Sequence, residues 1–544
     1  MTAGLLYRLL IGELSFQEGS ASQAIEVMID AARRTSDPAL YQRAVEMAIQ
    51  SRSGTMALDA VRAWRQAEPQ SADANRLELQ VLVALGRFGE TDAPIRATLA
   101  AVPDADQEPF ILALPGLYAR APDKLEASQV VERGLSDALE SDKLASAAWT
   151  TVGRMRMAGG DSAGALAAAT LGQAANTASE WPALLALQLM ASSGEEHAES
   201  LVKRYLREDV VKPDVRIGYA RALLETGRSQ EAHAQLADLT RRQPEFPEGW
   251  LAQGLLFADE RHDAQAETTL KHYLELAKQT SAEDRLDRIN GLNQARMTLA
   301  QIAERRGDFA AAESYLDDVD SSDDIMSVQL RRASILAQQG RLDEALQLIR
   351  DIPVRRTEDE RMKLVAEAQL LREHERPQQA YDLLYAELQK TPDDQDLLYD
   401  TAMAAEKLDR VDIMERLLRQ LISINPEAQA AYNALGYTLA DRNMRLPEAR
   451  ELIQKAVELS PNDPFIQDSL GWVEFRLGNH EKALTILQAA FKRQPDAEIA
   501  AHLGEVLWIL GRQDEARSIW REGARLSRDN ETLLETLKRL QISL

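Results

Sequence analysis

A period of about 34 residues runs through most of this chain. Positions equivalent to Ala483 recur at Ala232, Ala266, Ala312, Ala345, Ala380, Met414, Ala449 and Ala516, at steps of 34, 46, 33, 35, 34, 35, 34 and 33. Around each marker lies the same grammar. Leu470-Gly471 is followed by Gly478, Ala483, Leu487, Ala490 and Pro495. Leu503-Gly504 is followed by Gly511, Ala516, Trp520 and Gly523, and Leu435-Gly436 by Ala449, Ile453, Ala456 and Pro461. Each period holds two apolar stretches at helical spacing, joined by a turn such as Gly-Arg-Leu-Asp (340–343) or Gly-Asn-His-Glu (478–481). A unit this short cannot bury its apolar side alone, so the chain must stack its units. Small residues mark where two helices approach closely, and bulk there is expected to cost about 1–3 kcal/mol by overpacking. Prolines 244, 392, 426, 461 and 495 end the second helix of a unit.

This pattern resembles the tetratricopeptide repeat, a helix–turn–helix unit. The resemblance implies an all-α solenoid, a right-handed superhelix of such units. The N-terminal part carries the signal less regularly. Ile11-Gly12, Gly19 and Ala24 fit one unit; Tyr41, Val45, Ala57, Val61 and Pro69 the next; Trp149, Gly153, Gly160, Ala165 and Gly172 another. Between them, prolines 94, 103, 109, 115 and 122 predict helical pairs with irregular connections. The 46-residue step predicts an insertion near Lys278–Leu292, in the form of longer helices. The expected organisation is residues 1–200 as less regular helical repeats, 201–530 as regular repeats, and 531–544 as a capping helix. In that last segment Leu533, Leu534, Leu537 and Leu540 share one face.

Charge and composition narrow the function classes. The chain has 63 basic and 87 acidic residues, a net charge of −24, which argues against nucleic acid and against anionic membrane surfaces. Having no cysteine, it carries no disulfide, thiolate nucleophile or cysteine-based metal site. No window offers an uninterrupted apolar membrane span, and Met1-Thr2-Ala3 does not open a signal sequence, so the expectation is a cytoplasmic protein or one whose signal has been removed. Phosphate loops, nucleophile elbows and zinc helices are not found. His262 and His272 are too far apart on a helix to share a metal. The acidic run Asp317, Asp318, Asp320, Asp323 and Asp324 lacks the glycine and terminal glutamate of a calcium loop and reads as a solvated connection. The expectation is therefore no catalytic residues, no metal, no cofactor and no enzyme.

What remains is binding. In tetratricopeptide proteins the first helix of each pair lines a groove, at positions near 2, 5, 9, 12 and 13 of the repeat. If Leu470 and Gly471 take positions 7 and 8, the resemblance places Phe465, Asp468, Trp472, Phe475 and Arg476 on the groove. Neighbouring units add Tyr399, Met403, Lys407, Asn433, Tyr437, Asp441, Glu505, Trp508 and Ile509. Aromatics are only 5% of the chain, so Tyr399, Tyr437, Phe465, Trp472, Phe475 and Trp508, with Met403, form a concentration suited to extended polypeptide. The competing reading packs some of them between helices, Phe475 and Trp508 first. A second candidate is the first helix, where Leu5, Leu6, Leu9 and Leu10 crowd beside Tyr7 and Ile11. An opening helix is expected to be polar outside, so this excess points to partner docking. The Lys and Asn pairs of a carboxylate clamp are incomplete.

The runs 432–453, beginning Tyr432-Asn-Ala-Leu-Gly-Tyr, and 468–478, beginning Asp468-Ser-Leu-Gly-Trp, carry a closer likeness. They resemble a group of proteobacterial envelope tetratricopeptide lipoproteins that partner a carboxyl-terminal processing protease. That resemblance implies a non-enzymatic adaptor on the periplasmic face of the outer membrane. It would bind the protease and deliver peptidoglycan hydrolases to it. Membrane attachment in that group runs through a lipidated N-terminal cysteine, which this chain lacks. A general assembly scaffold for a secretion or polysaccharide complex is the alternative, and an enzyme with an unrecognised site the third class.

Overall fold

The computed structural model describes residues 3–193, 196–279, 288–319 and 325–544, and every regular element among them is a helix. The helices start where the sequence supplies a cap. Asp161, Asp308, Asp394, Asp463, Asp496 and Asn530 each accept a backbone N–H from the first turn with the side chain. They end at turns that need a left-handed residue. Gly478, at φ 85°, closes the helix Pro464–Arg476 by donating its N–H to the Phe475 carbonyl. Asp409 and Glu375 fill equivalent turns at φ 59° and 58° without the freedom of glycine.

Within a hairpin the small residues do what the spacing predicts, with one change of partner. A Cβ on Gly436 would meet Ile453 and the Ala449 carbonyl, and one on Gly504 would run into the Trp520 indole. On Gly471 it would meet Leu487 at 2.5 Å, not Ala483: the close approach falls one turn further along the second helix. Ala449, Ala483 and Ala516 are fully buried, as are Leu435 and Trp520. Low aromatic content is thus compensated by Ala and Leu layers that bring helix axes close.

The chain packs as two compact units, residues 1–306 and 307–544. This partition by packing is a different one from the division by regularity expected near residue 200. In the first unit the proline-rich stretch is helical throughout much of its length. Helices Asp92–Ala101, Asp104–Leu117 and Lys124–Gly134 follow one another, and Pro109 and Pro115 lie inside the second instead of in its connections. The hydrogen bonds they forgo are offset by packing of Ile111, Leu114 and Tyr118 into a core with Ile95, Val131 and Leu135. The insertion after Ala266 is flanked by long helices, Asp263–Lys278 of 16 residues and Ile289–Arg305 of 17. Residues 280–287 between them lie outside the described residues, as do Asp320, Asp323 and Asp324 of the acidic run. Asp317 of that run pairs with Arg332.

In the second unit the first helices that matter for function are Gln395–Lys407, Gln429–Asp441, Pro464–Arg476 and Ala497–Ile509. Their second helices are Val411–Ile424, Leu446–Leu459, His480–Arg493 and Gln513–Leu526. The helix Glu531–Arg539 follows and buries Leu533 against the last hairpin, beside Trp520 and Ala500. Leu534, on the same helix, stays half exposed.

Candidate interaction site

The first helices of the second unit meet around one buried imidazole. His502, on Ala497–Ile509, is 1% exposed. Its Nδ1 lies 2.8 Å from Asp468 Oδ2 on Pro464–Arg476, and its Nε2 lies 3.4 Å from the Tyr437 hydroxyl on Gln429–Asp441. The Tyr437 hydroxyl in turn donates to Glu498 Oε1 at 3.1 Å. Trp472 stacks on His502 with ring centres 4.3 Å apart and donates its Nε1–H to Asp441. Tyr437 therefore reaches past the neighbouring hairpin to the one after it, a contact that a simple nearest-neighbour stack does not require.

The electrostatics follow from burial among carboxylates. Burial pulls the imidazole down, but Asp468, by charge and hydrogen bond, together with Glu498 and Asp441, more than offsets this and leaves its pKa raised. Burial likewise pushes the Glu498 carboxyl up, with Asp468 adding to the push and His502 opposing it. The Tyr437 phenol is pushed far up by burial and by its acidic neighbours. Asp468 Oδ1 is buried without a hydrogen-bond partner.

The residues expected on the groove thus divide. Trp472 is 3% exposed and belongs to a core with Leu435, Leu439 and Ile453. Tyr437 is held in the seam around His502. Phe475 is half-buried between two cores, and Trp508 packs 5.8 Å from Trp520, with Arg517 over its ring. Arg476 lies 5.6 Å over Trp472 and donates to the Asp441 carbonyl. Lys407 is exposed and pairs with Glu531 of the closing helix at 3.1 Å. The closing helix also sets Arg539 on Glu505. Phe465 is 45% exposed, Met403 is half-buried, and Asn433 has its Oδ1 buried without a partner. Tyr399 borders a cleft of about 450 Å³ with Val365, Asp396, Asp400, Leu421 and Asn425. Asp400 there has its carboxyl raised by burial.

Sequence reasoning missed His502 and Glu498. The histidine sits one residue before the Leu503-Gly504 marker, a position that carries apolar or small residues in the neighbouring units, and that departure was the available signal.

At the other end, the first helix Ala3–Gln17 splits its leucines. Leu9 packs toward Ile25, Met28 and Val45, and Leu5 is half-buried. Leu6, Tyr7, Leu10 and Leu14 are 49%, 66%, 53% and 55% exposed. Positions 6, 10 and 14 are one turn apart, so the exposed side chains form a continuous apolar ridge. Tyr7 and Leu14 extend the docking set beyond the residues chosen from sequence. Among the described residues there is no cluster of His, Asp and Glu able to hold a metal, and no helix long and apolar enough to cross a membrane.

The repeat families that the chain matches agree with this architecture. The tetratricopeptide repeat family matches residues 297–360, 414–464 and 469–531, and a second tetratricopeptide repeat family matches residues 196–256. The chain is 39% identical over 211 residues to the TPR repeat-containing protein PA4667 of Pseudomonas aeruginosa. That stretch is 39% of this chain, and the chain spans only 36% of that relative's length. Among solved structures, a tetratricopeptide repeat protein from Parabacteroides merdae is 16% identical at a TM-score of 0.35, over 46% of this chain and 99% of that one. The Cut9–Hcn1 hetero-tetramer of the APC/C is 13% identical at a TM-score of 0.32, over 91% and 95%. The fold is an all-α tetratricopeptide-repeat solenoid, a scaffold type consistent with binding other proteins.

Proposed function

We propose that this chain is a non-enzymatic adaptor with two binding regions. The exposed ridge Leu6, Tyr7, Leu10 and Leu14 docks a stable partner, and the first helices of the second unit hold client polypeptide. The ridge is the observation that carries the reading. Four large apolar side chains gain nothing from exposure to water, whereas burying them at an interface contributes about 25 cal/mol per Å² before the costs of association. Following the likeness of residues 432–478 to the envelope lipoproteins, the partner is a carboxyl-terminal processing protease. The clients are then peptidoglycan hydrolases, and the site of action is the periplasmic face of the outer membrane. The client region is the part of the first-helix face that keeps free surface: the Tyr399 cleft, Phe465, Lys407 and Ile509.

The test is affinity capture from envelope extracts with mass spectrometry. Leu6→Asp with Leu10→Asp is expected to lose the protease while the protein keeps its helical content. Tyr399→Ala with Phe465→Ala is expected to keep the protease and lose the hydrolases. Recovery of secretion or polysaccharide-synthase subunits instead of a protease would replace this reading with that of an assembly scaffold.

A further inference from the structure

The His502 seam joins three successive first helices through one proton-bearing group. Charged and titratable groups reach it from several helices; beyond those that touch it, Lys407 of Gln395–Lys407 and the capping Asp496 act by charge on Glu498. Gln429–Asp441 contributes Tyr437 and Asp441, Pro464–Arg476 contributes Asp468, and the helix of His502 itself contributes Glu498. The closing helix places Arg539 nearby, but Arg539 is paired with Glu505. Arg476 stacks on Trp472 and binds the Asp441 carbonyl. The second helices bring apolar Leu487, Phe491 and Trp520 to the core beside it. The local balance is therefore one imidazole among three carboxylates.

Protonation decides whether the hydrogen bonds close. In the imidazolium both ring nitrogens donate, Nδ1–H to Asp468 and Nε2–H to the Tyr437 oxygen, which leaves the phenol proton for Glu498. Every donor then has an acceptor, and the cation offsets the buried carboxylates. In the neutral ring with its proton on Nδ1, Nε2 is an acceptor. The single phenol proton must then serve either Nε2 or Glu498, and one of them goes without. Asp468, already lacking a partner for Oδ1, loses its counter-charge as well.

We propose that His502 is a proton-dependent clamp: its imidazolium draws the three first helices together, and its deprotonation loosens the seam and opens this face to client polypeptide. The second half of that statement rests on the client-binding reading above; the first half does not. The direction is set by the hydrogen bonds that only the imidazolium completes, and it agrees with the raised imidazole. Groups whose folded values are raised stabilise the fold below their ordinary range and lose that contribution as pH rises through the folded value. The clamp is closed in mild acid and opens toward alkaline pH.

The experiment is hydrogen exchange of the full chain between pH 6 and 9, corrected for intrinsic rates. Binding of a labelled, carboxymethylated and permanently unfolded α-lactalbumin is measured in parallel. In the unaltered protein, segments 429–441, 464–476 and 497–509 are expected to exchange about tenfold faster at the alkaline end, as for roughly one buried hydrogen bond left unmet. Helices of residues 1–306 are expected to stay flat. His502→Gln keeps a hydrogen-bonding side chain without the charge and is expected to exchange fast at both ends. Asp468→Asn removes the anion that retains the proton and is expected to move the transition to lower pH, which a merely structural role would not do. Exchange that is independent of pH in these segments, or a transition unmoved by Asp468→Asn, overturns the clamp. An exchange transition accompanied by client binding that does not change with pH retains the clamp but overturns client opening, and with it the placement of clients on this face.

Discussion

Two of the hubs that tie consecutive hairpins through a titratable side chain, one in each unit, invite comparison, because one is built on an acid and the other on a base. In the first unit the hub is an anion. Glu199 accepts from the Tyr219 hydroxyl at 2.5 Å and from Arg228 at 2.8 Å, with Lys203 at 2.9 Å. Hydrogen bonding from Arg228 leads the effects that hold its carboxyl down at about 2, against a smaller opposing push from burial. In the second unit the hub is the imidazole of His502, enclosed by carboxylates and a phenol that raise its pKa. The first keeps contact with solvent and uses long flexible cations, so each partner is replaceable. The second is fully enclosed, so the loss of any partner leaves a charge without water. A depressed carboxylate contributes stability above its ordinary range and loses it as pH falls toward the folded value, whereas the raised imidazole loses its contribution as pH rises. The two hubs are thereby sensitive at opposite ends of the pH scale.

The largest expected effect comes from removing the enclosed imidazole outright. His502→Leu leaves Asp468 buried without a counter-charge and should destabilise the second unit by about 3–5 kcal/mol. Residues 1–306 should be left unchanged, as read by urea unfolding followed segment by segment with hydrogen exchange. Equal loss in both units would mean that the array unfolds as one block and that the two hubs are not independent.

Next in size is the solvated hub. Glu199→Gln removes the anion from Tyr219, Arg228 and Lys203 but leaves Arg228 its second partner, Glu231. The cost should be about 1–2 kcal/mol, since three charge-assisted contacts are weakened in reach of solvent and Arg228 keeps Glu231. The same variant should reduce the acid limb of stability around Glu199 below the ordinary carboxylate range, leaving the share of Glu13, Asp238, Asp263 and Glu267. An acid limb unchanged by this substitution would place the titration elsewhere.

Tyr437→Phe tests how much of the enclosed hub is hydrogen bonding. It removes the hydrogen bond from Gln429–Asp441 to Glu498 while keeping the ring, and about 1 kcal/mol is expected. The smallest effect is a gain. Glu375 sits in the left-handed region at φ 58° in a turn where other units use glycine, so Glu375→Gly should raise stability by roughly 0.5–1 kcal/mol. That change lies outside both hubs and should leave the pH profiles of both units untouched, which makes it the control for the other variants.

What the sequence by itself determined was everything set by spacing. The 34-residue period, the small residues at Gly436, Gly471 and Gly504 and the capping aspartates are local statements. They specify where helices start, where they end and which sides meet. Hairpins follow from them because each close approach is between residues less than one period apart. The exposed ridge of the first helix was half legible for the same reason. An apolar excess can be counted in Leu5, Leu6, Leu9 and Leu10, but which of them turn inward depends on the helix packed beside them. Only the tertiary structure decided between groove and core for the aromatics. Tyr437 and Trp472 stand at the same repeat position, one after the Leu-Gly pair, which the repeat pattern assigns to the groove. Contact across more than one period brings His502, 65 residues from Tyr437 and 34 from Asp468, against both. Periodicity predicts neighbours along the stack. It carries no information about how sharply the stack turns, and that turn places one imidazole among three carboxylates.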